Sequence, residues 1–271
     1  MTPDLTPEQK LLHAQYDVLK KEFSELFTQK NDMLMQDESL LTALYLNAVG
    51  QRQHQKLCLT VEIKMIMQRI NMTQSYINRN VYPDKKAIDA DIEKRFTDYV
   101  TKIAVEAQRL ALAKEYLKED AFLPPHLVVK LKEVYKIIVK RLHPDVNPHA
   151  TEEDKDLLVQ AQAAYDMSNL DALNEILLSL DMHTPLILPD MTSLQKQLEK
   201  LEKSVRKLES QIHKLEKQFP FSYRDNLYDK KWIKAQQDAL DKDIAELIRE
   251  KKKYEDYLSL MDDWKPTIIS G

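Results

Sequence analysis

LQKQLEKLEKSVRKLESQIHKL, residues 194–215, sets Leu194, Leu198, Leu201, Val205, Leu208, Ile212 and Leu215 in strict steps of four and three. On a helix of 3.6 residues per turn these positions fall on one stripe, and the alternation is the seam of a coiled coil. The stretch contains neither glycine nor proline. A second series follows at Ile233, Leu240, Ile244, Leu247, Tyr254, Leu258 and Met261, after the connector Phe219-Pro220-Phe221. Two such helices joined by a short link predict an antiparallel coiled-coil hairpin over residues 190–264.

The rest of the chain points to the same class. Gly50 and Gly271 are the only glycines among 271 residues. Hairpin turns, dinucleotide-binding turns and phosphate loops draw on glycine for positive φ, so β-rich folds and nucleotide-binding loops are disfavoured. Charged residues make up 31% and aromatic residues 7% of the chain, which suits two-faced helices more than one thick core. The expectation is an all-α, elongated helical protein.

Upstream, Thr6-Pro7-Glu8-Gln9 reads as a capped helix start, followed by a seam at Leu12, Tyr16, Leu19, Phe23 and Leu26. A second helix is expected from Glu38 to about Ile77, weakened at Gly50, and a third from about Asp84 to Lys118 after the Asn-rich break at 78–83. Together these form an expected long-helix region, residues 1–119. Pro124-Pro125 starts a further helix that runs to Leu142. Thr151 with Glu152, Glu153 and Asp154 caps the next, and Ser168 with Asp171 is expected to cap a short one ending near Leu180.

The helix before Pro144 carries Leu127, Leu131, Val134, Ile138 and Leu142 on one face and Lys132, Lys136 and Lys140 on another. Residues 124–149 hold five Lys or Arg against Glu133 and Asp145, a net +3, whereas 151–181 hold eight acids against Lys155, a net −7. That polarity suits an antiparallel pair and leaves a basic face for an acidic partner.

The stretch from Val134 to Pro148, containing Arg141-Leu142-His143-Pro144-Asp145, resembles the second helix and loop of J domains, the DnaJ-like co-chaperones. Leu158, Ala161, Ala164 and Tyr165 resemble their third helix. The resemblance covers about residues 120–181. It lacks a counterpart of the short first helix, whose place the helix ending near Lys118 could take, and its fourth helix is a variant. The resemblance implies docking on a DnaK-type (heat-shock seventy) chaperone and stimulation of that partner's ATP hydrolysis. His143, Pro144 and Asp145 would form the docking loop. Lys132, Lys136, Lys140 and Arg141 would meet an acidic surface, and Tyr135 and Asn147 would add contacts by family position. Pro144 stiffens the turn, Asp145 offers a carboxylate and His143 can donate a hydrogen bond.

No nucleophile motif or paired-carboxylate loop argues for catalysis in this chain, so it is read as no enzyme, with no catalytic residue and no cofactor. His143, Asp145 and His149 match metal ligands by type alone, and no metal site is expected. The single Cys58 is read as a small apolar residue in a reducing compartment. A net charge of −4 and pI near 6.0 lack the footprint of a nucleic-acid binder. No apolar run reaches the roughly 18 residues of a membrane span, and the amino terminus lacks a signal-peptide pattern, so a soluble, cytoplasmic protein is expected. The exposed seams allow self-association. The rival reading is a coiled-coil scaffold or adaptor whose J-like segment is purely structural.

Overall fold

The computed structural model describes residues 6–118, 124–181 and 191–266. The expected break at Pro185 and Pro189 and the first residues of the expected 120–181 core lie outside them. The protein is all-α, with no strand among the described residues. Its α-helices are α1 (Pro7–Asp32), α2 (Glu38–Tyr45), α3 (Gln51–Asn78), α4 (Lys85–Tyr116), α5 (Pro125–Leu142), α6 (Glu152–Asp166), α7 (Leu170–Asp181), α8 (Met191–Glu216) and α9 (Lys230–Asp262). Met33–Asp37 and Leu46–Gly50 are π-helical turns.

Local chemistry sets the boundaries. Gln9 N–H donates to Thr6 Oγ1 at 3.3 Å and Thr6 N–H to Gln9 Oε1 at 2.9 Å, the reciprocal box that satisfies two orphan donors of α1. Thr151 and Asp154 do the same for α6. Asp84 accepts the Ala87 N–H at 3.0 Å to start α4. The expected Ser168 cap of α7 is one residue off. Ser168 takes φ 56°, ending α6, and the Asn169 N–H returns to the Ala164 carbonyl at 2.8 Å. The α7 cap is Asn169, whose Oδ1 accepts the Ala172 N–H at 3.1 Å.

The chain divides into two compact units, one of Met1–Leu40 with Asp120–Ser222, the other of Leu41–Glu119 with Tyr223–Gly271. This division differs from the three consecutive segments expected at 1–119, 120–181 and 190–264. Each unit is built from two stretches distant in sequence.

In the second unit α9 packs on α3 and α3 on α4. Four contacts fix the register. Arg52 meets Asp241 at 2.8 Å, Lys56 meets Asp243 at 2.6 Å, Lys251 meets Glu62 at 2.8 Å, and the Gln237 amide donates to the Ala48 carbonyl at 2.8 Å. Partners advance together along both helices, so α3 and α9 run parallel. Arg69 with Asp89, and His54 Nε2 with the Ile103 carbonyl, instead show α4 antiparallel to α3. A Cβ on Gly50 would stand 2.6 Å from Leu110 Cδ2, so the glycine admits α4 to the π turn rather than breaking the helix. Tyr223, in the segment before α9, lies 5.1 Å from Tyr45 of α2 and 5.8 Å from Trp232 of α9, which makes it part of the packing.

The predicted hairpin is therefore corrected. Both heptad helices form, but α9 seats its seam on α3, and α8 seats Leu194, Leu201, Val205 and Leu208 in the core it shares with α1 in the first unit. A heptad seam fixes the need for a partner helix and not which helix supplies it.

Candidate functional site

In the first unit α5 is the central element, with α1, α6 and α7 packed on it. Its predicted apolar face is its buried face. Of that face Leu131, Ile138 and Leu142 are at most 1% exposed and Leu127 and Val134 are partly buried, while Tyr135 and Val139 beside it are fully buried as well, and this burial holds the helix more than propensity does. The helix expected on that face was α4, but the structure supplies α1, more than a hundred residues upstream.

A polar network ties α1 to α5 and α6. Asp32, at the end of α1, accepts the Tyr165 hydroxyl on one carboxylate oxygen and meets Lys132 Nζ at 2.8 Å on the other. The Asn31 amide donates to Asp166 at 3.2 Å, and the Gln162 amide to Asp166 at 3.0 Å. Tyr135 donates to Gln162 and stacks on Tyr165, centroids 4.1 Å apart. Burial, reinforced by the nearby Asp166 and Asp32, raises the Tyr135 phenol pKa. Burial and the bond to Asp32 do the same for Tyr165.

α5 ends at His143, whose backbone turns extended at ψ 128° while its N–H still bonds the Val139 carbonyl at 3.0 Å. The His143 carbonyl accepts the Val146 and Asn147 N–H groups at 2.9 and 2.8 Å. Pro144 thus occupies the second position of a tight turn, where its fixed φ is favoured. The Asp145 N–H donates to His143 Nδ1 at 3.1 Å. That nitrogen is an acceptor, so in the neutral ring the proton sits on Nε2. Asn147 Nδ2 donates to the Arg141 carbonyl at 2.9 Å, and its Oδ1 accepts the His149 N–H at 3.2 Å.

Side chains of α1 and α8 surround this loop. The His143 ring sits 4.7 Å from Phe23 and 4.8 Å from Phe27. Its pKa is lowered, chiefly by burial and further by Lys200, against an opposing pull from Asp145. Tyr16 donates to the Val146 carbonyl at 2.8 Å, and burial pushes its phenol pKa up to about 12. Lys200 Nζ lies 3.8 Å from Asp145 Oδ1. Lys20 stacks over Tyr16 at 5.1 Å, and burial with the nearby Lys140 outweighs Asp17 to lower its pKa.

The structure brings His143, Pro144, Asp145 and Asn147 into one loop beside Lys140 and Arg141. Lys136 and Lys140 are half-buried and Arg141 is exposed. Tyr135, expected as a partner contact, is fully buried under Tyr165 and belongs to the core. Lys132, expected on the docking face, pairs with Asp32 within the chain. Asn147 closes the end of α5. Sequence reading missed Phe27, Lys20, Asp32 and Lys200. Tyr16 and Phe23, in the α1 seam, carried a packing signal, and nothing local says that α1 meets a loop 120 residues away.

Among the described residues no group of three or more His, Cys, Asp or Glu could hold a metal ion, and no helix is long and apolar enough to cross a membrane. No protein-family model matches the chain, and no curated protein or solved structure matches it.

Proposed function

We propose that the chain is a J-domain co-chaperone that docks through the His143-Pro144-Asp145 loop and the basic face of α5 on a DnaK-type chaperone and stimulates that partner's ATP hydrolysis. The observation that carries this reading is the loop itself. A basic helix ends at His143, Pro144 and Asp145 form a tight turn pinned by Asn147, and α6 returns with Tyr165 stacked on Tyr135. The parts that would meet the partner are the Asp145 carboxylate, the His143 Nε2 proton and the cations of Lys136, Lys140 and Arg141. Lys132 and Tyr135 support this surface from behind. The chain carries no reaction, cofactor or metal of its own, acts in the cytoplasm, and selects its target through α3, α4 and α9.

The test is ATP turnover by a purified DnaK-type chaperone. Wild type accelerates it, His143→Gln does not, and added salt weakens the effect because the basic helix works partly by charge. Equal rates for both proteins would sink the reading.

One observation favours the rival reading of a scaffold with a structural J-like segment: the loop is engaged by the chain's own Phe23, Phe27 and Lys200. The same turnover measurement separates the two.

A further inference from the structure

The loop's most partner-ready group is already occupied. Asp145 keeps about a third of its side chain exposed, 34%, yet it pairs with Lys200 of α8, at 3.8 Å and 60% exposed. Lys200 also stands close enough to bias His143. It is positioned there by the helix that carries it, because Leu194 and Leu201, on either side of it, are buried at 1% and 0% in the shared core of α1 and α8. The two sides of the loop differ in kind. On α1, Phe23 is buried at 2% and Tyr16 is hydrogen-bonded to the Val146 carbonyl, so that wall is part of the core. On α8 the contact is a long ion pair between half-exposed groups, which competing charges break readily.

We propose that α8 is an autoinhibitory latch on the His-Pro-Asp loop, with Lys200 holding the carboxylate that a basic group of the chaperone partner would otherwise take. One carboxylate so placed cannot serve both cations at full strength. The partner therefore engages the fraction of molecules in which Lys200 has swung away, and its apparent affinity falls by that fraction. This proposal rests on the J-domain reading.

The full-length chain carrying Lys200→Ala or Lys200→Glu tests it by two readouts. Both changes lie at an exposed position, and circular dichroism checks that helix content is kept. The first readout needs no chaperone. Asp145 is labelled with a carbodiimide and glycinamide and compared by mass spectrometry with the exposed Glu153 of the same molecule. The labelling ratio should rise about threefold in both variants. The second is ATP turnover by the purified chaperone, in which both variants should stimulate about threefold more than wild type at sub-saturating concentration, and adding His143→Gln should abolish the gain. Unchanged labelling, or stimulation no greater than wild type, overturns the latch, and the J-domain reading survives if His143→Gln still removes the wild-type effect. Faster labelling with no stimulation by any variant overturns the J-domain reading and the latch with it.

Discussion

The rings of Tyr135 and Tyr165 stack with centroids 4.1 Å apart and planes inclined by 18°, each fully buried, one from α5 and one from α6. Each hydroxyl is taken by a different helix. Tyr135 donates to Gln162 of α6 and Tyr165 to Asp32 of α1. Tyr165→Phe keeps the stack but leaves Asp32 short of a donor, and should cost about 1–2 kcal/mol. Tyr165→Ala also opens a cavity, and should cost about 3–5 kcal/mol. Urea unfolding followed by far-UV circular dichroism ranks the two, and equal losses would show that the hydroxyl bond is the whole contribution.

The same tyrosines set an alkaline limit. Burial raises the phenol pKa of Tyr16, Tyr135 and Tyr165 above the ordinary 10.0, to about 12 for Tyr16. The native state therefore holds these protons more tightly than the unfolded chain does. The stabilisation is fully present below pH 10 and is lost as pH climbs through the raised values. Phenolate absorbance near 295 nm should show an early wave from exposed tyrosines, then a later wave coincident with loss of helix. Tyr165→Phe should shrink the later wave.

His143 works at the acid end. Its pKa is lowered, mostly by burial between Phe23 and Phe27. Folding thus favours the neutral ring, so its contribution is complete above the unfolded pKa near 6.5 and fades as pH falls toward the native value. An NMR titration of the ring C–H should give a midpoint below 6.5. Lys200→Ala should raise the midpoint, because Lys200 opposes protonation, and Asp145→Asn should lower it, because Asp145 favours it. Movement in the opposite directions would contradict the geometry of the loop.

Gly50 weighs propensity against space. Alanine gains about 1 kcal/mol in a helical backbone, and Gly50 has ordinary helical dihedrals, φ −60° and ψ −38°. The added Cβ would sit 2.6 Å from Leu110 Cδ2 and 3.1 Å from Leu46 Cδ2. Leu110 presents the end of a flexible side chain, so the crowding should roughly cancel the gain. Gly50→Ala should lie within about 1 kcal/mol of wild type, and in a Leu110→Ala background it should stabilise by about 1 kcal/mol. Urea midpoints of the four proteins close the cycle.

These particulars show what the sequence made legible. Helix ends were readable because caps act over three or four residues, as Thr6 with Gln9 and Thr151 with Asp154 do. The miss at Ser168 was a single residue, where a left-handed turn competed with a cap. The apolar face of α5 was readable from its periodicity, and the turn at Pro144 from its proline. Helix partners were not readable. Leu12 and Leu194 announce seams of one kind, and so do Ile233 and Leu57. The apolar spacing is common to all four, while the choice among them depends on where two distant stretches meet. The site suffered the same blindness. His143 and Asp145 stand out in sequence, whereas Phe27, Asp32 and Lys200 matter only through contacts with residues between 55 and 133 positions away.

The parallel course of α3 and α9 makes that pairing directly testable. Lys56 lies 2.6 Å from Asp243, and Lys251 lies 2.8 Å from Glu62. Two such ammonium–carboxylate pairs suit a carbodiimide, which joins groups already in contact without a spacer. Digestion and mass spectrometry should recover peptides linking residue 56 to 243 and residue 62 to 251, at protein dilutions where links between molecules are absent. These exposed pairs contribute little to stability, typically below about 1 kcal/mol. Charge reversal at Lys56 should therefore erase its link and leave the unfolding curve almost unchanged. An antiparallel α3–α9 pair would reverse the order and link residues near 56 to those near 251, and a closed α8–α9 hairpin would give links between those two helices in place of both.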